Sequence, residues 1–418
     1  MIGGVVFMSE KLAEVFEQYD IEILSAKKGR GATILTTTEG MRILEPFRGS
    51  VTRLEQEYVL KELFFKAGSD NLDRIIPNKD GQLLTCDKYR QPYVLKYYFT
   101  GNECDMHNLD DVLHAVEALA HFHVVGQGIA EQFSVEWDLC RQKKELKRIE
   151  EIRKAIANGE ELERITYIYE ISEKALETAL KQGEENTCED EPGCGDLPVH
   201  VNVATNEETD SNMQYIRIKD TFERHNREIK KIQKYISGVK RKNEFEKTFQ
   251  NIVNCYVQKG MECVGMLEQM VTAKDDISLY SVWKHHYGIC HGSYNHHNVI
   301  LDGQDAAIVH FERFSKGNQL EDLYQFARKA MEKNEFDFVL LEDIFRTYNR
   351  VIRLSDEDYY YLYILFAYPE KFWKIANSYY NSNKAFLSPK YMEKLNTVIL
   401  QEQEKQDMLE KYWGFHSL

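Results

Sequence analysis

The stretch HGSYNHHNVILDGQDAAIVHF (residues 291–311) is the part of the chain from which the rest is best read. Two short apolar runs, VIL and AAIV, flank Asp302-Gly303, a dipeptide suited to a tight turn, so the second half reads as a hairpin. The first half is polar and places His291, Ser293 and Asn298 just ahead of the first strand. What such a loop could do depends on the elements around it.

Upstream, the first hundred residues read as strands around one helix. IEILSAKK alternates apolar positions, GRGATILTTT turns and returns, and MRILEPF follows the turn signal Glu39-Gly40. SVTRLEQEYVLKELFFKAG has helical spacing, with Leu54, Tyr58, Leu60 and Leu63 on one face, Ser50 as N-cap and Gly68 past the end. QLLTCD and YVLKYYF read as two further strands. TGNECDMHN is a polar connector, and LDDVLHAVEALAHFHVVG is an amphipathic helix.

From about Asp138 the pattern is helical to the end, apart from one interruption and the hairpin. CRQKKELKRIEEIRKAIANGEELERITYIYEISEKALETALKQG reads as charge-laced helix. Residues 184–212 are acidic, hold no Lys or Arg, and read as a disordered linker. KDTFERHNREIKKIQKYIS resumes as a basic helix with a solvated face. The expected division is a β-rich lobe over residues 1–100, a hinge and first helices over 101–145, an inserted charged segment over 146–213, and a helical lobe over 214–418. The fold class is therefore α+β, with two lobes.

The chain has 418 residues and a formal net charge of -15, which argues against a nucleic-acid partner. No run of about 18 apolar residues suggests a transmembrane segment. The start, MIGGVVFMSEKLAEVFEQ, lacks a basic n-region and is read as part of the fold. The 8 cysteines form no CxxC and no zinc spacing, and read as reduced thiols, although Cys188 and Cys194 could pair in an oxidising setting.

Phosphoryl transfer needs a positioned nucleophile, a metal on the phosphates and donors for spread negative charge. A kinase-like catalytic loop supplies these as H-x-D-x-x-x-x-N, with a second Asp about a dozen residues on. His291, Ser293 and Asn298 keep that spacing, and His310 in IVHFERF falls at the second Asp. CHGSYNHHNVIL, HFERFSKGNQLEDLYQFARK, FERHNREIKKIQKYI, YPEKFWKIANSYYNSNKAF and LAHFH (residues 119–123) together resemble the aminoglycoside-phosphotransferase and choline-kinase branch of the protein-kinase-like fold. Within it, the chain resembles the CotS-type spore coat proteins. The likeness covers most of the chain except residues 146–213.

The resemblance implies roles, and the departures are then visible. Ser293 stands where the base Asp belongs, and His310 where a metal-binding Asp belongs; neutral imidazole is a poor Mg²⁺ ligand. Glu45 in MRILEPF aligns with the phosphate-gripping Lys. Arg42 is a substitute three residues away, and Glu55 or Glu57 is the helix acid that would pair with such a Lys. The glycine loop is reduced to Gly29-Arg30-Gly31. Asp322 fits the family's later Asp, which bonds backbone amides of the loop that His291 also braces. A general base alone contributes about 10²- to 10⁴-fold, and here base, metal acid and Lys are all replaced. The expectation is a catalytically dead kinase fold without cofactor. It would serve as a structural protein of the spore coat, made in the mother-cell cytoplasm, with other coat proteins as partners.

Other readings stay open on sequence alone. Glu312 or Asp305 could replace the lost acids, with Asn298 and Glu312 as the metal ligands, giving an active ATP- and Mg²⁺-dependent phosphotransferase with relocated groups. A nucleotide sensor without transfer would need only the cleft and a hinge near Phe99. His296, His297 and His310 could hold a transition metal, or be loop histidines. Lys27, Lys28 and Arg30 could grip phosphate, or line a solvated turn. DYYYLYILFAYPEKFWKIANSYYN is either helical core or an assembly surface rich in tyrosine.

Overall fold

The computed structural model describes residues 10–29, 31–157, 216–273, 278–381 and 389–415. The acidic linker, Cys188, Cys194 and Arg30 lie outside these residues. A short helix α1 (Glu10–Phe16) leads into strands β1 (Ile23–Lys28), β2 (Thr33–Thr37) and β3 (Gly40–Pro46). Helix α2 (Val51–Lys66) follows, then β4 (Thr85–Cys86), β5 (Pro92–Tyr97) and β6 (Asn102–Glu103). The first five strands form one antiparallel sheet in the order β1-β2-β3-β5-β4.

Side chains alternate across a strand, so the sheet has two distinct faces. Leu35, Leu44, Tyr93 and Leu95 meet Val15, Phe16 and Tyr19 on one face. Val94 turns the other way, to Leu54 of α2 and Ile75. Glu45 lies opposite Val94 in the register, and Lys96 opposite Ile43, so both charged residues share the α2 face. Arg42, three positions before Glu45, belongs to the opposite face.

Ser50 caps α2 by accepting the Arg53 N–H at 3.4 Å. The helix buries Leu54, Leu60 and Leu63 as its spacing predicts, but also Phe64, Glu57 and Lys61, while Tyr58 is half-buried. Helix α3 (Leu109–Ala157) runs on without a break where two separate helices were expected, so the 145/146 boundary falls inside one element. The compact units instead divide after Ala130 and before Glu207; residues 131–206 form the second unit.

The helical part of the first unit comprises α4 (Arg217–Gly238), α5 (Glu244–Thr272), α6 (Leu279–His285), α7 (Leu320–Lys333), α8 (Phe338–Val351), α9 (Asp356–Ala367), α10 (Glu370–Asn381) and α11 (Lys390–Phe415). The basic-looking α4 is amphipathic. Ile229, Ile232 and Ile236 enter a core with Phe249, Tyr256, Phe372 and Leu395 from α5, α10 and α11. Four more strands, with β6, form the two small sheets: β7 (Tyr287–Cys290) pairs with β10 (Ser315–Asn318), and β6 pairs with β8 (Val299–Asp302), which pairs with β9 (Asp305–Ile308). β8 and β9 are the expected hairpin, with Gly303 at φ +63° in its turn.

The tyrosine-rich stretch is mainly core: Tyr361, Tyr368 and Tyr379 are all buried, while Tyr380 is exposed. Among the described residues no helix is long and apolar enough to cross a membrane.

Candidate functional site

The loop after β7 is held from below by one carboxylate. The N–H groups of His291 and Gly292 donate to Asp322 Oδ2 and Oδ1 at 2.6 and 2.9 Å. Asp322 sits in the first turn of α7 and is buried. Gly292 has φ +72°, and a Cβ there would come within 2.1 Å of the Arg313 carbonyl oxygen, so only glycine fits. His291 Nε2 lies 3.0 Å from the Val309 carbonyl, which can only accept, so Nε2 carries the proton and Nδ1 is an acceptor. The Ser293 N–H donates to that Nδ1 at 3.3 Å. Burial lowers the pKa of His291 and keeps the ring neutral, consistent with this tautomer. His123 extends the brace: its Nε2 is 3.5 Å from Asp322, and its Nδ1 is 2.8 Å from the Tyr348 hydroxyl. The Asn298 side chain donates to the Ser293 carbonyl at 3.0 Å, closing the loop on itself.

Above the loop the chemistry is different. Lys61 on α2 is fully buried and pairs with Glu57 at 2.6 Å and Asp73 at 2.5 Å. Lys96 on β5 lies 3.4 Å from Glu45, 3.6 Å from both Glu57 and Asp73, and 4.0 Å from Glu312. Burial alone would lower the Lys96 pKa, but the charges of Asp73, Glu57, Glu45 and Glu312 outweigh it and raise the pKa. Likewise, burial opposes ionisation of Asp73, yet Lys61 and Lys96 hold its pKa below the ordinary value.

His310 follows the hairpin at φ +68°, a left-handed conformation uncommon for a non-glycine residue. Its N–H donates to Asp73 Oδ2 at 3.2 Å, and its Nδ1 lies 3.4 Å from Glu312. The hydrogen bond to Glu312 raises the His310 pKa. For Glu312, burial is outweighed by that bond and by Lys96, and its pKa falls to about 2. Arg53 fastens the same segment to α2. It donates to the carbonyls of Glu312, at 3.1 Å, and Phe314, and its guanidinium lies 3.8 Å over the Phe314 ring.

The structure therefore brings Glu45, Glu57, His310 and Glu312 into one ion-pair cluster, and His291, Ser293, Asn298 and Asp322 into one braced loop. It does not bring Arg42 to either. That guanidinium donates to the carbonyls of Met41 at 2.9 Å and Glu39 at 3.1 Å, and stacks 4.3 Å over Tyr97. The odd spacing from Glu45 already places Arg42 on the other face of β3. Gly29 and Gly31 form a tight turn in which the Gly29 N–H donates to the Ala32 carbonyl at 2.9 Å, with Gly31 at φ +79°. His297 pairs with Glu103 of β6 rather than with a metal set. Asp305 opens β9, opposite Asp302 across the hairpin. Among the described residues no group of three or more His, Cys, Asp or Glu is arranged for a metal.

Sequence reasoning missed Lys61, Asp73 and Lys96. Two signals for them exist. Glu57 and Lys61 are four apart on the helix face predicted to be buried, and Lys96 interrupts the strand YVLKYYF. A charge at a core position must find a partner.

This donor set suits Mg²⁺ and a nucleotide polyphosphate poorly. Glu312 is committed to His310 and Lys96, the Asn298 amide to the loop, and the cluster holds the four carboxylates of Glu45, Glu57, Asp73 and Glu312 against two lysines.

No protein-family model and no curated protein sequence matches the chain. Among solved structures it is similar to an aminoglycoside phosphotransferase from Alicyclobacillus acidocaldarius, at 12% identity and TM-score 0.65, over 98% of this chain and 96% of that one. It is also similar to the spectinomycin phosphotransferase APH(9)-Ia in complex with ADP and spectinomycin, at 11% identity and TM-score 0.49, over 94% of this chain and 98% of that one. A microcompartment-associated aminopropanol kinase matches at 11% identity and TM-score 0.44, over 95% of each chain. The first of these likenesses, with the sheet and helices described above, gives the chain a bilobal protein-kinase-like α+β fold, with a β-rich N-lobe and a mostly helical C-lobe.

Proposed function

We propose that this is a non-catalytic protein on a kinase-like fold, used as a binding and assembly module. The observation that carries the reading is the Lys96 cluster. The position that should attract phosphate holds Glu45, and the cation nearest to it, Lys96, is surrounded by four carboxylates. Ser293 offers no carboxylate to a substrate hydroxyl, and His310 offers none to a metal. Losses of groups that act as a unit are not additive, but here the base, the metal acid and the phosphate cation are replaced together.

The resemblance of the catalytic-loop and C-terminal motifs to CotS-type proteins supports placing this module in the spore coat. It would be made in the mother-cell cytoplasm and assembled with other coat proteins. One observation favours transfer instead: Lys96 and Glu57 recreate a Lys–Glu pair from a different strand. For that pair to serve catalysis, Lys96 would have to leave Glu45, Asp73 and Glu312. The test is incubation of the purified protein with γ-labelled ATP, Mg²⁺ and candidate acceptors, including itself. The proposal expects no label transferred above a Ser293→Ala control. Robust transfer abolished by Lys96→Met would overturn it in favour of the relocated enzyme.

A further inference from the structure

A groove of about 1570 Å³ borders the hinge. None of Glu45, Lys96, Ser293, Asn298 or His310 lines it. Its walls are the hinge, the loop after α2, the first turns of α3 and the β8–β9 hairpin. Sites for small molecules are typically about 300–1,000 Å³, so this one has room for a chain segment.

The floor and the rim differ in chemistry. Leu72, Phe99, Leu113, Phe122 and Ile300 are among the floor residues, all buried or half-buried. Around them stand Asp70, Asp110, Asp111, Glu117, Asp302 and Asp305, against a single arginine, Arg350, and no lysine among the described lining residues. Two of the acids are fixed in place. Asp111 accepts from the Asp105 N–H and the Asn108 amide, each at 3.0 Å, and Asp302 accepts from the Thr100 hydroxyl at 3.0 Å. The walls are tied to each other as well: Asn71 donates to the Ala306 carbonyl at 2.8 Å, and the Ile308 N–H donates to the Asn71 carbonyl at 2.9 Å.

We propose that this groove docks a basic, amphipathic peptide segment of a partner protein, with apolar side chains on the floor and Lys or Arg on the rim. Charge chooses the occupant. Nucleic acid has the wrong sign, and so does the chain's own stretch over residues 184–212, which holds no Lys or Arg. Complementary charge across a groove sets specificity and on-rate, while the apolar floor supplies the desolvated contact. The inference does not depend on whether the cleft is catalytic, because the two are lined by different residues.

The experiment uses the full chain and a fluorescein-labelled synthetic peptide of alternating lysine and leucine, followed by anisotropy. The peptide binds, and a glutamate–leucine counterpart does not. Asp110→Asn, Asp302→Asn and Asp305→Asn combined weaken binding roughly tenfold and flatten its salt dependence. Glu404→Gln, Asp407→Asn and Glu410→Gln on α11, exposed acids outside the groove, leave it unchanged. Equal loss in both triple variants would reduce the effect to overall charge and overturn the proposal, as would no loss in either. Spermine competing as well as the peptide would assign the groove to small polycations instead. Should the groove variant misfold, hydrogen exchange on the wild type decides: the peptide protects amides in residues 98–102 and 300–306, and protection confined elsewhere contradicts the docking site.

Discussion

Asp322 and Asp73 are both buried aspartates, one below the loop–hairpin segment and one above it, and they do opposite kinds of work. Asp322 accepts two backbone N–H groups and fixes the path of the chain at His291 and Gly292. Asp73 accepts the N–H of His310, but its carboxylate chiefly meets the ammonium groups of Lys61 and Lys96. Below, the interactions hold the backbone of the loop. Above, the charged side chains form an internal salt-bridge cluster. A loop can be held by backbone bonding to one buried carboxylate while the charges beside it are turned inward onto each other.

That contrast can be broken by mutation. The largest effect should come from Lys96→Met, which leaves Glu45, Glu57, Asp73 and Glu312 short of a buried cation. Breaking a buried ion network by removing one partner costs about 3–5 kcal/mol, read as a lowered urea midpoint. Asp322→Ala should cost about 2–4 kcal/mol, because two buried N–H groups lose their acceptor. Its signature is local: faster amide exchange at His291 and Gly292, with the N-lobe sheet unchanged. If Asp322→Ala disturbs the upper cluster as strongly as the loop, the two regions are not separate.

Glu45→Gln should change the urea midpoint by less than about 1 kcal/mol in either direction, because Lys96 keeps three other carboxylates. A large loss would mean that Glu45 is the main partner of Lys96. It would also mean that the cluster is less redundant than its distances indicate.

The smallest effect is the pH dependence of the His310–Glu312 pair, since both side chains are about half exposed. Glu312 has its pKa lowered from 4.5 to about 2, so its contribution is present above about 4.5 and is lost as pH falls toward 2. His310 has its pKa raised above 6.5, so its contribution is present below 6.5 and is lost as pH rises through the folded value. The pair therefore stabilises most between about 4.5 and 6.5. In Glu312→Gln the stability-versus-pH curve should flatten at both ends of that window, and an unchanged curve would show that the pair contributes nothing.

Much of this was legible in the sequence. The hairpin at Asp302-Gly303, the cap at Ser50 and the apolar stripe of α2 are local features, and local spacing encodes them. Asp322 was legible through the resemblance alone, because NQLEDLYQFAR matches the family's later Asp-Leu. The cluster was not, because its members come from β3, α2, the loop at Asp73, β5 and the segment after the hairpin. Pairing across such separations depends on which face of the sheet each residue takes. Face could have been read from strand alternation, and it excludes Arg42 from the cleft while admitting Lys96. The continuity of α3 was missed for a different reason: charge-laced and amphipathic helix differ in pattern but not in backbone, so no signal marks a break or its absence.

The proposed function requires that the cleft's charges, satisfied by each other, do not recruit nucleotide and metal. Isothermal calorimetry with ATP alone, ATP plus Mg²⁺ and ATP plus Mn²⁺ tests it most directly, beside a variant carrying Glu45→Lys, Ser293→Asp and His310→Asp. The account predicts no measurable heat of binding for the wild type in any of the three. Metal-dependent ATP binding by the wild type, lost in Glu312→Gln, would contradict it and make the cluster a working metal site.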